Sequence, residues 1–283
     1  MTTLLESLRG RRVGVVLSAG YFGFFGHAGF IDGLSTAGVS PAAWAGTSAG
    51  GMVAGLAAAG LGPDAIARLL LAQRKQDFWD PDPVGIAVDA LRRGPRSSGL
   101  LKGARFAALL AGALPVQTFE ALPTPLLLVA TNLSTHTPQR IAEGALASAI
   151  HATCAYPGLF QAVRRDGQLL WDGGIVDKAP VLALHESPVG RTLDALLVHY
   201  LPSRDEVREP GGPLAWASGL AGGMAALRRE HFRLQLEVLR ARGVPVHVVT
   251  SELPAVSPNQ LQRGAQALAA GRASALAALR QPA

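Results

Sequence analysis

The sequence is poor in several things whose absence narrows its function. It has a single cysteine, Cys154, so no intramolecular disulfide framework exists. The seven histidines are scattered, and none has the spacing of a zinc finger or a zincin helix. With no Cys/His cluster, neither a metal nor another cofactor is expected. The N-terminus, Met1-Thr2-Thr3-Leu4-Leu5-Glu6, lacks a basic segment followed by an apolar one, so no signal peptide is expected. A cytoplasmic, at most membrane-peripheral, location is the expectation, with signal-independent export as the alternative. Gly33 to Pro63 carries no charge and is long enough for a membrane span. Pro41, several glycines and Ser/Thr residues within it point instead to a buried strand–helix unit.

What is present is a chain of 283 residues, 49% hydrophobic, with a formal net charge of +6. That length suits one α/β domain with a self-sufficient core over residues 1–283. The Ala/Gly/Arg/Pro bias points to a GC-rich bacterial genome. The basic balance suits contact with an anionic membrane surface. Nothing resembles a nucleic-acid module. Strand-like and helix-like segments alternate without a repeat. Strands are expected at 12–18, before Ser48, at 125–131, 168–171, 192–200 and 244–250. Helices are expected at 24–37, 48–59, 63–74, 102–113, 213–242 and 258–280. This predicts a three-layer α/β/α fold with a mainly parallel sheet. Residues 76–99 and 203–212 are rich in Pro, Gly and charge and read as loops. The first is a candidate lid, with Phe78 and Trp79 as lipid contacts; an ordinary surface excursion is the alternative. Around the arginine-rich run Arg228–Arg242, Leu227, Leu234, Val238 and Leu239 suggest an amphipathic helix packed on the sheet with a solvated arginine face; a lipid-facing role is the alternative.

The strongest local signal is Gly46-Thr47-Ser48-Ala49-Gly50, between the apolar Ala42–Ala45 and a small-residue helix. G-x-S-x-G between strand and helix is a nucleophile elbow. Gly46 and Gly50 let strand and helix cross closely, and the helix start directs free N–H groups and a positive dipole end at Ser48. Upstream, the apolar run Arg12–Ser18 ends in the glycine-rich Ala19–Gly29 before a helix. Such a loop offers backbone N–H groups to an anion. Downstream, the strand at Gln168–Trp171 ends in Asp172-Gly173-Gly174. An aspartate there, followed by two small residues, can reach a serine on a neighbouring strand end.

This ordered set resembles the patatin-like phospholipases, a family of lipid acyl hydrolases. The resemblance extends to the central strand in Pro125–Asn132, to the Ala/Ser helix with its Pro-x-x-Phe turn in Ala147–Phe160, and to the hairpin at Asp166-Gly167. It covers about residues 11–200. It implies a Ser48–Asp172 dyad without a catalytic histidine: Ser48 as nucleophile, Asp172 as base and then acid, and oxyanion donors at Gly20, Tyr21 and Phe22. Gly46, Gly50, Gly173 and Gly174 support the motifs. The implied substrates are phospholipids, lysophospholipids or neutral lipids. Two departures stand out. Aligned on His27, the family's three glycines fall on Ala19, Gly20 and Tyr21, and its basic residue falls on Gly23. Lys178 stands where the family often has Asn.

Other readings remain at this point. An α/β-hydrolase triad would need a late histidine, and His199, His231 and His247 are the candidates. A lipid-binding pseudohydrolase would keep the fold without efficient catalysis. A dinucleotide-binding fold is disfavoured, because the glycines at 20, 23, 26 and 29 do not form G-x-G-x-x-G and Gly33–Pro63 holds no acidic residue for a ribose.

Overall fold

A computed structural model describes residues 2–92, 99–203 and 215–283. In chain order the elements are α1 (Leu4–Leu8), β1 (Val13–Leu17), α2 (Phe24–Thr36), β2 (Ala43–Gly46), α3 (Ala49–Ala58), α4 (Pro63–Leu71), α5 (Lys75–Phe78) and α6 (Pro83–Arg92). Next come β3 (Gly99–Leu101), α7 (Ala104–Ala113), β4 (Leu126–Asn132), β5 (Thr137–Ile141), α8 (Leu146–Thr153), β6 (Gly158–Phe160), β7 (Val163–Arg165) and β8 (Gln168–Asp172). The last are α9 (Val181–Glu186), β9 (Ala195–Tyr200), α10 (Ala215–Ala241), β10 (Val246–Thr250) and α11 (Gly264–Arg280).

The main sheet has the order β10-β9-β1-β2-β4-β8-β7. From β10 to β4 all pairs are parallel. The hairpin β7–β8 is antiparallel to its neighbours, and β5 also pairs antiparallel with β4. Every residue of β1, β2, β4 and β9 is buried. Such continuous apolar runs are what parallel strands covered on both faces require. Alternation along the strands sorts side chains between two layers. Val15 and Leu17 join a core with Phe30 of α2, Val53 of α3 and Ile150 of α8. Val16, Leu127, Val129 and Val198 face the other way, onto Leu184 of α9 and Phe232 and Leu239 of α10. The sheet is thus sandwiched between helical layers, as the alternating pattern predicts.

Glycine placement explains the tightest joints. A Cβ at Gly29 would lie 1.9 Å from the Leu268 carbonyl oxygen, and one at Gly271 would lie 2.0 Å from that of Gly26. The glycines spaced along α2 therefore seat α11, with no space for side chains between them. Asp166 and Gly167, both at positive φ, turn β7 into β8, as the Asp-Gly pair predicts.

Several expectations need correction. The segment 76–99 is not simply loop: it contains part of α5 and all of α6. Asp82 Oδ1 accepts the Gly85 N–H at 3.0 Å, and Pro83 occupies the first helical position, so the Asp-Pro pair starts a helix. The helix expected over 63–74 ends at Leu71, and the one expected from 258 starts at Gly264 after a short 3-10 turn. On α10 the packed face is Ala225, Phe232, Gln235 and Leu239; Leu227, Leu234 and Val238 are exposed, contrary to the spacing argument. Most of the arginine face is solvated as expected, with Arg233 and Arg240 paired to Glu230 and Glu237, whereas Arg228 is half-buried. Residues 93–98 of the candidate lid, 204–212 of the second loop and 213–214 of the following helix lie outside the described residues. Among the described residues, no helix is long and apolar enough to cross a membrane.

Candidate functional site

Sheet register brings Ser48 and Asp172 together. Gly46 at the end of β2 pairs with Leu128 of β4, so Ser48, two residues on, comes level with Ala130. β5 fills the opposite edge of β4, pairing with both Leu128 and Ala130, so Asp172 pairs with Ala130 on the same edge that β2 uses. β2 and β8 thus end facing each other along one edge of β4, and the two side chains meet there: Ser48 Oγ donates to Asp172 Oδ2 at 2.6 Å. Gly173 has to be small here, because a Cβ would sit 1.9 Å from the Val129 carbonyl oxygen.

Ser48 has φ 56° and ψ −127°, a left-handed conformation that costs a non-glycine residue about 1–3 kcal/mol. Surrounding contacts hold it there. Its N–H donates to Thr153 Oγ1 at 3.0 Å, and that hydroxyl donates in turn to the Val129 carbonyl. Cys154, which caps the end of α8 rather than lying inside a helix, donates its thiol to the Ser48 carbonyl at 3.1 Å. Strand and helix cross without side chains between them: a Cβ at Gly50 would lie 2.2 Å from the Leu17 carbonyl oxygen, and one at Gly46 would lie 2.7 Å from Gly50. The N-terminus of α3 therefore sits directly behind the hydroxyl.

Asp172 is buried. Its Oδ1 accepts the Gly174 N–H at 2.7 Å, its N–H donates to Ala155 O, and its carbonyl accepts the Thr131 hydroxyl. Burial pushes its pKa up to about 6, against the opposing pull of the Ser48 and Gly174 hydrogen bonds and the Arg228 charge. A carboxylate near pH 6 is a better proton acceptor than an ordinary aspartate.

The glycine-rich loop is a tight turn in which the Gly23 N–H donates to Gly20 O at 2.8 Å, with Phe22 at φ 53°. The Ala19 N–H is taken by Lys178 O. Among the described residues, the Gly20 and Phe22 amides find no protein acceptor, so both are available to a ligand. Gly20, Tyr21 and Phe22 line the same cavity as Ser48 and Asp172. Its volume is about 880 Å³. Ser48, Ala49, Met52 and Leu56 form one face of α3 along it, roughly 12 Å of apolar wall starting at the hydroxyl. Leu69, Leu70 and Leu110 continue that wall. Phe78 of the candidate lid lines the cavity, whereas Trp79 packs with Leu101 and Phe160 in a separate small core.

None of the late histidines approaches Ser48. His199 is fully buried, stacks on Phe30, and is bonded through Nδ1 to His27 and through Nε2 to Ser251. His27 Nε2 lies 2.8 Å from the Ser18 carbonyl, so Nε2 carries the proton there. Its Nδ1 must then accept from His199, whose Nε2 accepts from Ser251. Burial depresses both imidazole pKa values, His27 to about 4. His231 is exposed on α10, and His247 lies half-buried on the edge strand β10. The triad alternative therefore lacks its histidine. Sequence reasoning missed Thr153, the His27–His199 pair and Arg228. A lone hydroxyl, scattered histidines and one arginine in a basic helix carry no local signal.

Residues 15–185 match a family described as Patatin-like phospholipase. One uncharacterized NTE family protein of Mycobacterium tuberculosis is 30% identical over 180 residues, covering 62% of this chain and 29% of that protein. A second from the same species is 28% identical over 224 residues, covering 76% of this chain and 57% of that protein. The chain thus spans less than two thirds of either relative. Among solved structures, VipD from Legionella pneumophila shares the fold with a TM-score of 0.50 at 16% identity, covering 95% of this chain and 66% of that one.

Proposed function

Because the chain belongs to the patatin-like phospholipase family, we propose that it is a lipid acyl hydrolase. It cleaves carboxylic esters of phospholipids, lysophospholipids or neutral lipids through an acyl-serine intermediate. Residues 1–283 would form one such domain. The observation that carries the reading is the 2.6 Å hydrogen bond from Ser48 Oγ to the buried Asp172, at the wall of a large apolar cavity.

Asp172 Oδ2 accepts the proton as Ser48 Oγ attacks the ester carbonyl carbon. The resulting oxyanion is stabilised by backbone N–H groups of the Gly20–Phe22 loop. As the C–O bond breaks, Asp172 returns the proton to the leaving alkoxide. A water molecule then attacks the acyl-Ser48 carbonyl, again losing a proton to Asp172. The fatty acid leaves and Ser48 regains its proton. The wall along α3 suits the acyl chain, and the exposed Tyr21 and Tyr156 rings suit an amphiphile's entry from a lipid surface.

Hydrolysis of p-nitrophenyl esters of short and long acyl chains tests this. Ser48→Ala and Asp172→Asn should lose activity while His199→Ala, if folded, keeps it. Activity that survives in Asp172→Asn would sink the dyad.

A further inference from the structure

Beyond the pull of its charge on Asp172, Arg228 takes no part in the steps above, and it lies outside the family-matched residues 15–185. It reaches the site from α10, in the layer opposite to α3. Its side chain lines the cavity beside Gly174, two residues after Asp172. Nη1 donates to the Gly174 carbonyl at 3.3 Å, while Nε is buried without any hydrogen-bond partner. Among the described residues, no carboxylate forms an ion pair with it. A guanidinium has five N–H donors in a planar fork suited to an oxyanion, and leaving them unfilled beside an apolar cavity is unfavourable. Lys178 and Ser203 line the same side, with Lys178 Nζ donating to Ser203 Oγ at 2.7 Å. Asp172 is the nearby carboxylate, and it already has Ser48 and Gly174 as partners; Glu252 also lines the cavity but is exposed. The cavity is thus segregated: aliphatic along α3, α4 and α7, cationic where α10 reaches over the sheet end.

That division matches an amphiphile with an acyl chain at one end and an anion at the other. We propose that Arg228 recognises the phosphodiester of a phospholipid or lysophospholipid whose acyl ester lies at Ser48. The proposal rests on the hydrolase reading for the placement of the ester, but its test does not need turnover.

The test is equilibrium binding to the Ser48→Ala chain. The probes are 1-octanoyl-lysophosphatidylglycerol and 1-monooctanoylglycerol, both below their micelle concentrations. Binding of the phosphate-bearing lipid should be at least about tenfold tighter, as a charge-assisted bidentate contact implies. Adding Arg228→Gln should remove most of that preference, and Arg228→Lys should restore part of it. Equal affinities in the Ser48→Ala chain, or a preference that survives Arg228→Gln, would overturn the proposal. Should Arg228→Gln not fold, competition in the Arg228-intact chain decides. Glycerophosphoglycerol should displace bound monooctanoylglycerol more strongly than glycerol does. No difference overturns the proposal, and displacement only by octanoate would give Arg228 to the released fatty acid instead. Loss of ester hydrolysis in Ser48→Ala, measured separately, judges the hydrolase reading.

Discussion

Replacing Asp172 by Asn should abolish hydrolysis and make the protein more stable at neutral pH. Burial raises the native carboxyl from 3.8 to about 6. Between those two values the folded chain holds a proton that the unfolded chain has released, so stability falls as pH rises through the interval and is level above it. A shift of this size corresponds to about 3 kcal/mol at 1.36 kcal/mol per pKa unit. Asn carries no charge, still offers an oxygen to the Gly174 N–H, and can turn its amide towards Ser48 Oγ. At pH 8 the variant should therefore resist urea better, by up to about 3 kcal/mol or roughly 1 M in midpoint. At pH 4, where the wild-type carboxyl is protonated in the fold, the gap should shrink below about 1 kcal/mol. The same ionisation should bound activity: wild-type kcat/KM falls about tenfold per pH unit below about 6. The assays are urea unfolding of both proteins at pH 4 and 8 and a pH–rate profile. An Asn variant no more stable at pH 8, or equally favoured at both pH values, would refute the reasoning.

Gly50→Ala should unfold the elbow, since its Cβ would meet the Leu17 carbonyl oxygen at 2.2 Å; a loss of several kcal/mol by urea unfolding is expected. Thr153→Val leaves the Ser48 N–H without its acceptor, costing about 1–3 kcal/mol, and kcat should fall with it. Leu56→Trp should block the cavity two helical turns from Ser48, shifting the acyl-length optimum of p-nitrophenyl ester hydrolysis towards short chains. The depressed pKa values of His27 and His199 act opposite to Asp172: stability is present above about 6.5 and is lost as pH falls through the lower folded values. Removing Asp172 by the Asn substitution should therefore leave a steeper acid decline than the wild type shows.

The elbow was legible because everything it needs is local: two small residues around a serine, between an apolar strand and an Ala/Gly helix. Asp172 was legible only through Asp-Gly-Gly at a strand end and the resemblance, because its partner lies 124 residues away. The helix at 83–92 was readable in principle from the Asp82-Pro83 start, but the prolines and glycines around it dominated. The glycines at 26, 29 and 33 looked like a loop continuing into a helix. Their reason, contact with α11, is tertiary and has no local trace. The same holds for α10, whose buried and exposed faces both carry leucines, so periodicity alone could not choose between them.

The seam between α2 and α11 also sets a timetable. Gly29 meets Leu268, almost the whole described chain apart, and β1 pairs with β2 on one side and the much later β9 on the other. Contacts so distant in sequence close slowly, since loop entropy is lost before they form. The turn at Gly20–Gly23 is anchored at one end to β1 and at the other to α2. It can therefore reach its final shape only after α11 has been synthesised and docked. In refolding, recovery of ester hydrolysis should lag behind recovery of helix signal. During translation, activity of the proposed kind would wait until α11 had been made and docked.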